Sequence, residues 1–119
     1  MGSPVVHFEI ACKDGEAGQS FYKELFGWKI TSDNPWNYGL VDTESDTGIG
    51  GGITGVQPEM SHPGVMVYVE VEDLQATLDK AESMGGKTTM PIMEIPGMVI
   101  LAHFTDPDGN IIGIVKSAE

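Results

Sequence analysis

The sequence predicts an α+β fold made of two β-α-β-β-β modules. Its 119 residues suit one domain, because folding at this length buries roughly two-thirds of the unfolded surface and so builds a proper core. Short strand-like runs predominate, and each half of the chain contains one helix-like pattern. The order of elements in residues 5–55 recurs in residues 64–116. We therefore expect a single domain, residues 1–119, with one module in each half.

The first module is predicted to begin with a strand over residues 5–12, followed by a helix and three short strands. The helix is expected to start after Asp14, with Glu16 in its first turn, and to end at Gly27. Its apolar stripe, predicted to face the core, comprises Ala17, Phe21, Tyr22, Leu25 and Phe26. The three strands are predicted over residues 29–33, 38–43 and 48–54, separated by turn sequences.

The second module repeats this order after a proline-containing linker at residues 56–63. A strand is expected over residues 65–71 and a helix over 73–84, whose stripe comprises Leu74, Leu78 and Ala81. Three strands follow over residues 87–95, 99–104 and 111–116. The repeat also has a register, because Gly-Trp-Lys-Ile-Thr at residues 27–31 corresponds to Gly-Gly-Lys-Thr-Thr at 85–89.

The charge balance excludes several classes of partner. Eighteen acidic residues stand against six lysines and no arginine, which gives a formal net charge of −12, so nucleic acid would be repelled. The apolar runs are too short to span a membrane, and we expect no membrane partner. Cys12 is the single cysteine and no signal-peptide pattern opens the chain, so a cytoplasmic location is expected.

Four short stretches carry a resemblance to a known family. They are HFEI at residues 7–10, FYKELFGW at 21–28, YVEVEDL at 68–74 and DPDGN at 106–110. In this order and spacing they resemble the vicinal oxygen chelate superfamily, which includes glyoxalase I, bleomycin-resistance proteins, fosfomycin-resistance enzymes and extradiol dioxygenases. The resemblance extends over residues 5–116. It implies that the two modules form an eight-stranded, incompletely closed barrel-like sheet, usually in a homodimer.

A cleft between the modules is the expected place for a small-molecule ligand. One helix covers only one face of four strands, so the other face of each module must be filled by the partner module or by a ligand. The alternative is that side chains fill this space and make it ordinary core. The candidate ligand-binding residues are His7, Trp36, Tyr38, Met66, Tyr68 and His103.

The resemblance also implies four metal-ligand positions, and only one of them carries a donor here. They fall on His7, near Met66, within residues 48–52 and on Gly113. A single imidazole would hold a divalent ion weakly, since such sites need about three or four N or O donors. We therefore predict no cofactor and an incomplete metal site at His7. The alternative is a displaced divalent metal site, built from His7 with Glu9, Glu70 or His103.

Glu9 and Glu70 are the candidate catalytic groups. Burial in a low-dielectric cleft would favour their protonated forms and let them move a proton during acid–base catalysis. The alternative for each is ordinary solvation near the end of a strand. Strand alternation puts His7 and Glu9 on one face of the first strand, and Met66, Tyr68 and Glu70 on one face of the fifth.

Three functions remain open from the sequence. The first is a small-molecule-binding protein of the resistance or sequestration kind, whose acidic charge favours cationic or neutral ligands. The second, which is the main alternative, is a glyoxalase-like lyase or isomerase that uses a non-standard metal site or a carboxylate base. A dioxygenase is less favoured, because its iron needs two histidines and a carboxylate on one face. The third is an accessory domain whose cleft is filled and whose partner is a second copy.

Overall fold

The computed structural model describes residues 2–56 and 64–117, within which eight strands and two helices follow the predicted order. They are β1 (Val5–Cys12), α1 (Gly15–Phe26), β2 (Lys29–Thr31), β3 (Gly39–Asp42), β4 (Gly51–Gly55), β5 (Gly64–Glu70), α2 (Leu74–Ser83), β6 (Lys87–Ile95), β7 (Val99–Thr105) and β8 (Ile111–Ser117). The eight strands, paired both in parallel and antiparallel, and the two helices confirm the predicted α+β class. Apart from Val56, the predicted linker lies outside the described residues. Neither helix in the described ranges is long and apolar enough to cross a membrane.

The chain divides into two compact units. One spans His7–Met66, and the other comprises Met1–Val6 and Val67–Glu119. Strand order in the first unit is β2-β3-β4-β1, with β1 parallel to β4 and the other pairs antiparallel. Strand order in the second is β5-β8-β7-β6, with β5 parallel to β8 and the other pairs antiparallel. The assignment of residues 1–119 to a single domain stays a prediction.

Both ends of α1 lie where the sequence predicts them. The Asp14 carboxylate accepts a hydrogen bond from the N–H of Ala17 at 3.2 Å, as an N-cap does. Gly27 takes the left-handed conformation with φ of 71°, and its N–H donates to the Lys23 carbonyl oxygen at 2.9 Å. Gly85, which corresponds to Gly27 in the predicted repeat, also has a positive φ, of 100°, just after the end of α2. The repeat therefore aligns the ends of the two helices.

The predicted apolar stripe of α1 is wrong. Three of its five side chains are more than half exposed, namely Phe21, Leu25 and Phe26, whereas Tyr22 is half-buried. The helix instead packs through Gly15, Gly18 and the buried Gln19. A Cβ on Gly18 would lie 2.4 Å from the Cys12 Sγ, so the absence of a side chain brings α1 close to its strands. Phe21 and Phe26 are left exposed, while the Tyr22 ring stacks on Trp28 with centroids 5.8 Å apart.

The stripe predicted for α2 agrees with the structure at Leu74 and Leu78, while Ala81 is half-buried. Asp73 caps this helix by accepting the N–H of Ala76 at 2.9 Å. Leu74 and Leu78 are buried and form one core cluster with two residues of the strands, Ala102 and Ile114. The helix therefore covers one face of β7 and β8 and leaves the opposite face for other side chains.

Strand alternation gives β1 two different faces. The Phe8 ring packs on Trp28, which follows α1, with ring centroids 5.5 Å apart, and Cys12 lies against Gly18 of the helix. His7 and Glu9, at the intervening positions, therefore point away from α1. The parallel register pairs Glu9 with Gly52 of β4, so their positions share this face.

Candidate functional site

Three polar side chains meet on the face of β1 that points away from α1. The Tyr38 hydroxyl donates to Glu9 Oε1 at 3.0 Å and lies 2.8 Å from His7 Nε2. When Glu9 is ionised, the single phenolic hydrogen goes to its carboxylate, and Nε2 of His7 then donates the hydrogen of the second bond. The two rings are stacked, with centroids 6.2 Å apart and planes 16° from parallel. We call this group the His7–Tyr38–Glu9 cluster.

Burial sets the electrostatics of the cluster. Glu9 is 4% exposed, and a carboxylate in such a place is costly unless it is hydrogen-bonded. Burial lowers the pKa of His7 from its ordinary value of 6.5, so the imidazole is neutral at pH 7. A neutral imidazole with hydrogen on Nε2 agrees with donation to the tyrosine oxygen.

Gly52 provides the space for the Tyr38 ring. A Cβ built on Gly52 would lie 2.0 Å from both Cζ and the hydroxyl oxygen of Tyr38. The ring is therefore in direct contact with the backbone of β4, beside the register partner Glu9. Any residue other than glycine at this position would displace the ring or the strand.

An asparagine fixes the main chain of Tyr38 in the turn before β3. Asn34 Oδ1 accepts the N–H groups of Trp36 at 3.1 Å and of Tyr38 at 2.9 Å. Its Nδ2 donates to the Tyr38 carbonyl oxygen at 2.8 Å. One side chain thus holds both polar groups of the Tyr38 backbone, which is the turn chemistry expected of asparagine.

Gln19 connects this turn to the sheet. Its Nε2 donates to the Asn37 carbonyl oxygen at 3.1 Å and to the Ile53 carbonyl oxygen at 3.0 Å. The side chain of Gln19 is buried. A Cβ built on Gly39 would lie 2.7 Å from both Cδ and Nε2 of Gln19, so the absence of a side chain at Gly39 makes room for this amide. Gln19 therefore holds the turn next to β4, where the ring of Tyr38 meets Gly52.

A second polar pair lies in the other unit, on the face of its strands that points away from α2. The Tyr68 hydroxyl is 2.7 Å from His103 Nε2, and the rings meet edge to face with centroids 5.5 Å apart. Both side chains are buried. Gly113 of β8 is the register partner of Tyr68 on one side and of His103 on the other, so the hydrogen bond spans this glycine.

The remaining candidates lie in different surroundings. Trp36 is 40% exposed in the turn before β3, and Glu70 is exposed at the end of β5. Met66 is buried in β5. The structure therefore leaves Trp36 and Glu70 at the surface, while it gathers His7 and Glu9 around Tyr38.

Sequence reasoning missed the positioning residues Asn34, Gln19 and Gly52. Asn34 precedes Pro35 in one of the predicted turns, and this Asn-Pro pair is a signal for side-chain bonds to the following backbone. Gln19 interrupts an otherwise small or apolar helix face, which is a weak signal. The register of Gly52 beside Glu9 gives no local signal, because it depends on pairing between distant strands.

The residues present do not fit the divalent metal that the family resemblance implies. Gly113 and Gly52 have no side-chain donor, and Met66 offers only a buried thioether. The His7 Nε2 is engaged with Tyr38. Across residues 2–56 and 64–117, no three His, Cys, Asp or Glu side chains come together as a group that could hold a metal ion. Neither the family positions nor the displaced set therefore supplies a complete shell in this part of the chain.

Comparisons with known proteins agree with this fold. The structure is similar to that of the solved methylmalonyl-CoA epimerase of Mycobacterium tuberculosis, with a TM-score of 0.70 and 15% sequence identity. The match covers 97% of this chain and 88% of the epimerase chain. The M. tuberculosis protein named "Putative glyoxylase CFP32" is 29% identical over a 113-residue alignment that covers 89% of this chain and 42% of that protein. The anthracycline biosynthesis protein DnrV of Streptomyces peucetius is 26% identical over 132 residues, covering 94% of this chain and 48% of DnrV.

The chain thus spans less than half the length of these two curated relatives. A family model matches nearly the whole chain, over residues 5–114. The two β-α-β-β-β repeats and this match lead to one assignment: the chain belongs to the Glyoxalase/Bleomycin resistance protein/Dioxygenase superfamily.

Proposed function

We propose that this chain binds a small organic molecule at the His7–Tyr38–Glu9 cluster without a metal ion. The observation that carries the proposal is the buried carboxylate of Glu9, hydrogen-bonded to Tyr38, which in turn bonds His7. Burying a carboxylate costs free energy that an apolar side chain would not cost. A polar network of this kind on a strand face is typical of a ligand site.

The charge of the chain supports a cationic or neutral ligand. A net charge of −12 attracts cations at long range, and no arginine is present to hold an anionic group by two parallel bonds. The relative DnrV is named for anthracycline biosynthesis, which supports a small organic molecule as the ligand. A resistance or sequestration role follows from binding without chemistry. The cleft between the modules stays a prediction from the sequence.

Equilibrium binding to a panel of cationic and neutral aromatic compounds tests the proposal. We expect saturable binding that weakens from low to moderate salt for the cationic members. Glu9→Gln should weaken binding by about 10- to 100-fold, the equivalent of one hydrogen bond to a charged group. Glu24→Gln is the matched control, because it removes the same charge from an exposed position on α1. No saturable binding across the panel, or equal effects of the two substitutions, would contradict the proposal.

A glyoxalase-like lyase or isomerase is the second candidate. The burial of Glu9 favours it, because a carboxylate shielded from water is suited to moving a proton next to a carbonyl. The name of the relative CFP32 supports the same chemistry. Turnover of methylglyoxal hemithioacetal is the assay, with nickel, zinc or manganese added. Turnover that Glu9→Gln abolishes and Glu24→Gln preserves would favour this candidate over binding alone.

We further propose a homodimer in the cytoplasm, without nucleic-acid or membrane partners. The family resemblance supports the dimer, the single cysteine supports a reducing compartment, and the charge of −12 disfavours nucleic acid. Sedimentation at micromolar concentration tests the dimer. A strict monomer at that concentration would contradict it.

A further inference from the structure

We propose that the space over Gly52, between His7 and Glu9, recognises a hydroxylated aromatic ring, and that Tyr38 is its built-in occupant. We call this space the phenol slot. The inference rests on the proposed function and names the ligand class for the same site. A ligand that enters the slot takes the place of the Tyr38 ring, so Tyr38 acts as an internal competitor.

The walls of the slot and its occupant come from different parts of the module. His7 and Glu9 belong to β1 and Gly52 to β4, and these two strands are hydrogen-bonded in parallel register. Tyr38 comes from the turn that precedes β3. The sheet therefore holds the backbone of the walls independently of the Tyr38 ring.

The hydrogen-bonding groups of the slot select a hydroxyl. His7 Nε2 donates one hydrogen bond and Glu9 Oε1 accepts another, and a single oxygen atom serves both. A hydroxyl can accept and donate at once, whereas a carbonyl oxygen only accepts and an ammonium group only donates. The floor selects a flat group, because at Gly52 even one Cβ would come within 2.0 Å of the present ring. Together these features describe a phenol.

The main chain at Tyr38 is held independently of the ring. Asn34 bonds both the N–H and the carbonyl oxygen of Tyr38, and Gln19 holds the neighbouring Asn37. Replacement of Tyr38 by alanine keeps all of these backbone bonds. We therefore expect Tyr38→Ala to open the slot without releasing the turn.

Titration of Tyr38→Ala with p-cresol, which is the tyrosine side chain as a free molecule, tests the inference. We expect p-cresol to raise the midpoint of thermal unfolding saturably, and toluene, which lacks the hydroxyl, to bind at least about 10-fold more weakly. The control is Tyr22→Ala, which removes an aromatic ring from α1 in the same unit. Neither this control nor the unsubstituted protein should respond at the concentrations that saturate Tyr38→Ala. Equal stabilisation by p-cresol and toluene, or none by either, would overturn the inference.

The experiment remains decisive if Tyr38→Ala does not fold alone. Because a ligand that binds the native state promotes folding, p-cresol must then restore the far-ultraviolet circular dichroism of the folded protein, and toluene must not. Failure of this inference is distinguishable from failure of the proposed function. If hydroxylated compounds from the panel bind Tyr38→Ala no more tightly than the unsubstituted protein, Tyr38 is not a competitor and the inference is overturned, while small-molecule binding stands. If p-cresol restores Tyr38→Ala but nothing binds the unsubstituted protein, the inference stands and the proposed function fails.

Discussion

A methyl group added at Gly52 should expel Tyr38 from its hydrogen bonds. In Gly52→Ala the new Cβ would lie 2.0 Å from Cζ and the hydroxyl oxygen of Tyr38. Carbon atoms in favourable contact are about 3.5–4.0 Å apart, so the end of the ring must move by roughly 1.5 Å or more. The bonds to His7 at 2.8 Å and to Glu9 at 3.0 Å would then exceed hydrogen-bonding distance.

The cost of this substitution follows from the two bonds that it breaks. A hydrogen bond to a charged group contributes about 1.5–3 kcal/mol and a neutral one about 0.5–1.5 kcal/mol. The Glu9 bond belongs to the first kind when the carboxylate is ionised, and the bond to neutral His7 to the second. We therefore expect Gly52→Ala to lower the free energy of unfolding by about 2–4 kcal/mol. The ring itself can turn away, so the clash adds less than a clash with backbone would.

Urea unfolding followed by tryptophan fluorescence measures this change. Gly55→Ala is the control on the same strand, because its Cβ would meet no heavy atom of the described residues closer than 3.6 Å. Its effect should stay within about 0.5 kcal/mol, or be slightly stabilising.

A double-mutant cycle with Tyr38→Phe separates the hydrogen bonds from other effects. Tyr38→Phe removes the same hydroxyl, so the double variant should lose less than the sum of the two single losses, by at least about 1 kcal/mol. Additive losses, or equal behaviour of Gly52→Ala and Gly55→Ala, would refute the reasoning.

Three further predictions concern the same region. Burial lowers the pKa of His7 below 6.5, so the unfolded chain takes up a proton at a higher pH than the folded protein does. The free energy of unfolding should therefore fall as the pH drops below about 6.5, by at most about 1.4 kcal/mol per pH unit for this group. His7→Gln should reduce that slope when urea unfolding is measured at several pH values. Gln19→Leu leaves the carbonyl groups of Asn37 and Ile53 without this donor and should cost about 1–3 kcal/mol by the same assay, whereas Gln75→Leu, on the exposed side of α2, should cost much less. Elemental analysis of the purified protein should find far less than one transition-metal ion per chain; a stoichiometric ion that survives dialysis would contradict the donor-set argument.

The order of the elements was predictable because it depends on local signals. Asp14 and Gly27 mark the ends of α1 by their chemistry as helix caps, and β6 occupies Lys87–Ile95 as the sequence predicts. The packing face of α1 was not predictable from hydrophobic periodicity. Three of its large apolar side chains are exposed, and the contact face is made of glycines and Gln19, which a hydrophobicity pattern ranks as unsuitable for a core.

The site was predictable only where it depends on local signals, as the order of the elements does. Strand alternation correctly placed His7 and Glu9 on one face, since the period of two is a local property of a strand. Alternation also puts Tyr68 and Glu70 on one face of β5, yet Tyr68 is buried and Glu70 is exposed, because burial changes along a strand towards its end. The position of Tyr38 depends on a turn held by Asn34, and no periodic pattern describes such a turn.

Each module contains a tyrosine–histidine pair beside a glycine. The residues are Tyr38, His7 and Gly52 in the first module and Tyr68, His103 and Gly113 in the second. In each module the glycine lies on the last strand: Gly52 is the parallel register partner of Glu9, and Gly113 is that of Tyr68. In each module a bond of 2.7–2.8 Å joins a tyrosine hydroxyl to a histidine Nε2 beside that glycine.

The family resemblance implies metal donors at Gly113 and within residues 48–52, a range that contains Gly52. A donor side chain at Gly52 would need the volume that the Tyr38 ring fills, so a donor at this position and the ring of Tyr38 exclude each other. At Gly113 the two register partners, Tyr68 and His103, are hydrogen-bonded to each other on the same face. Restoring a carboxylate by Gly113→Glu alone should therefore not restore metal binding, because the introduced side chain competes with this pair for the same face.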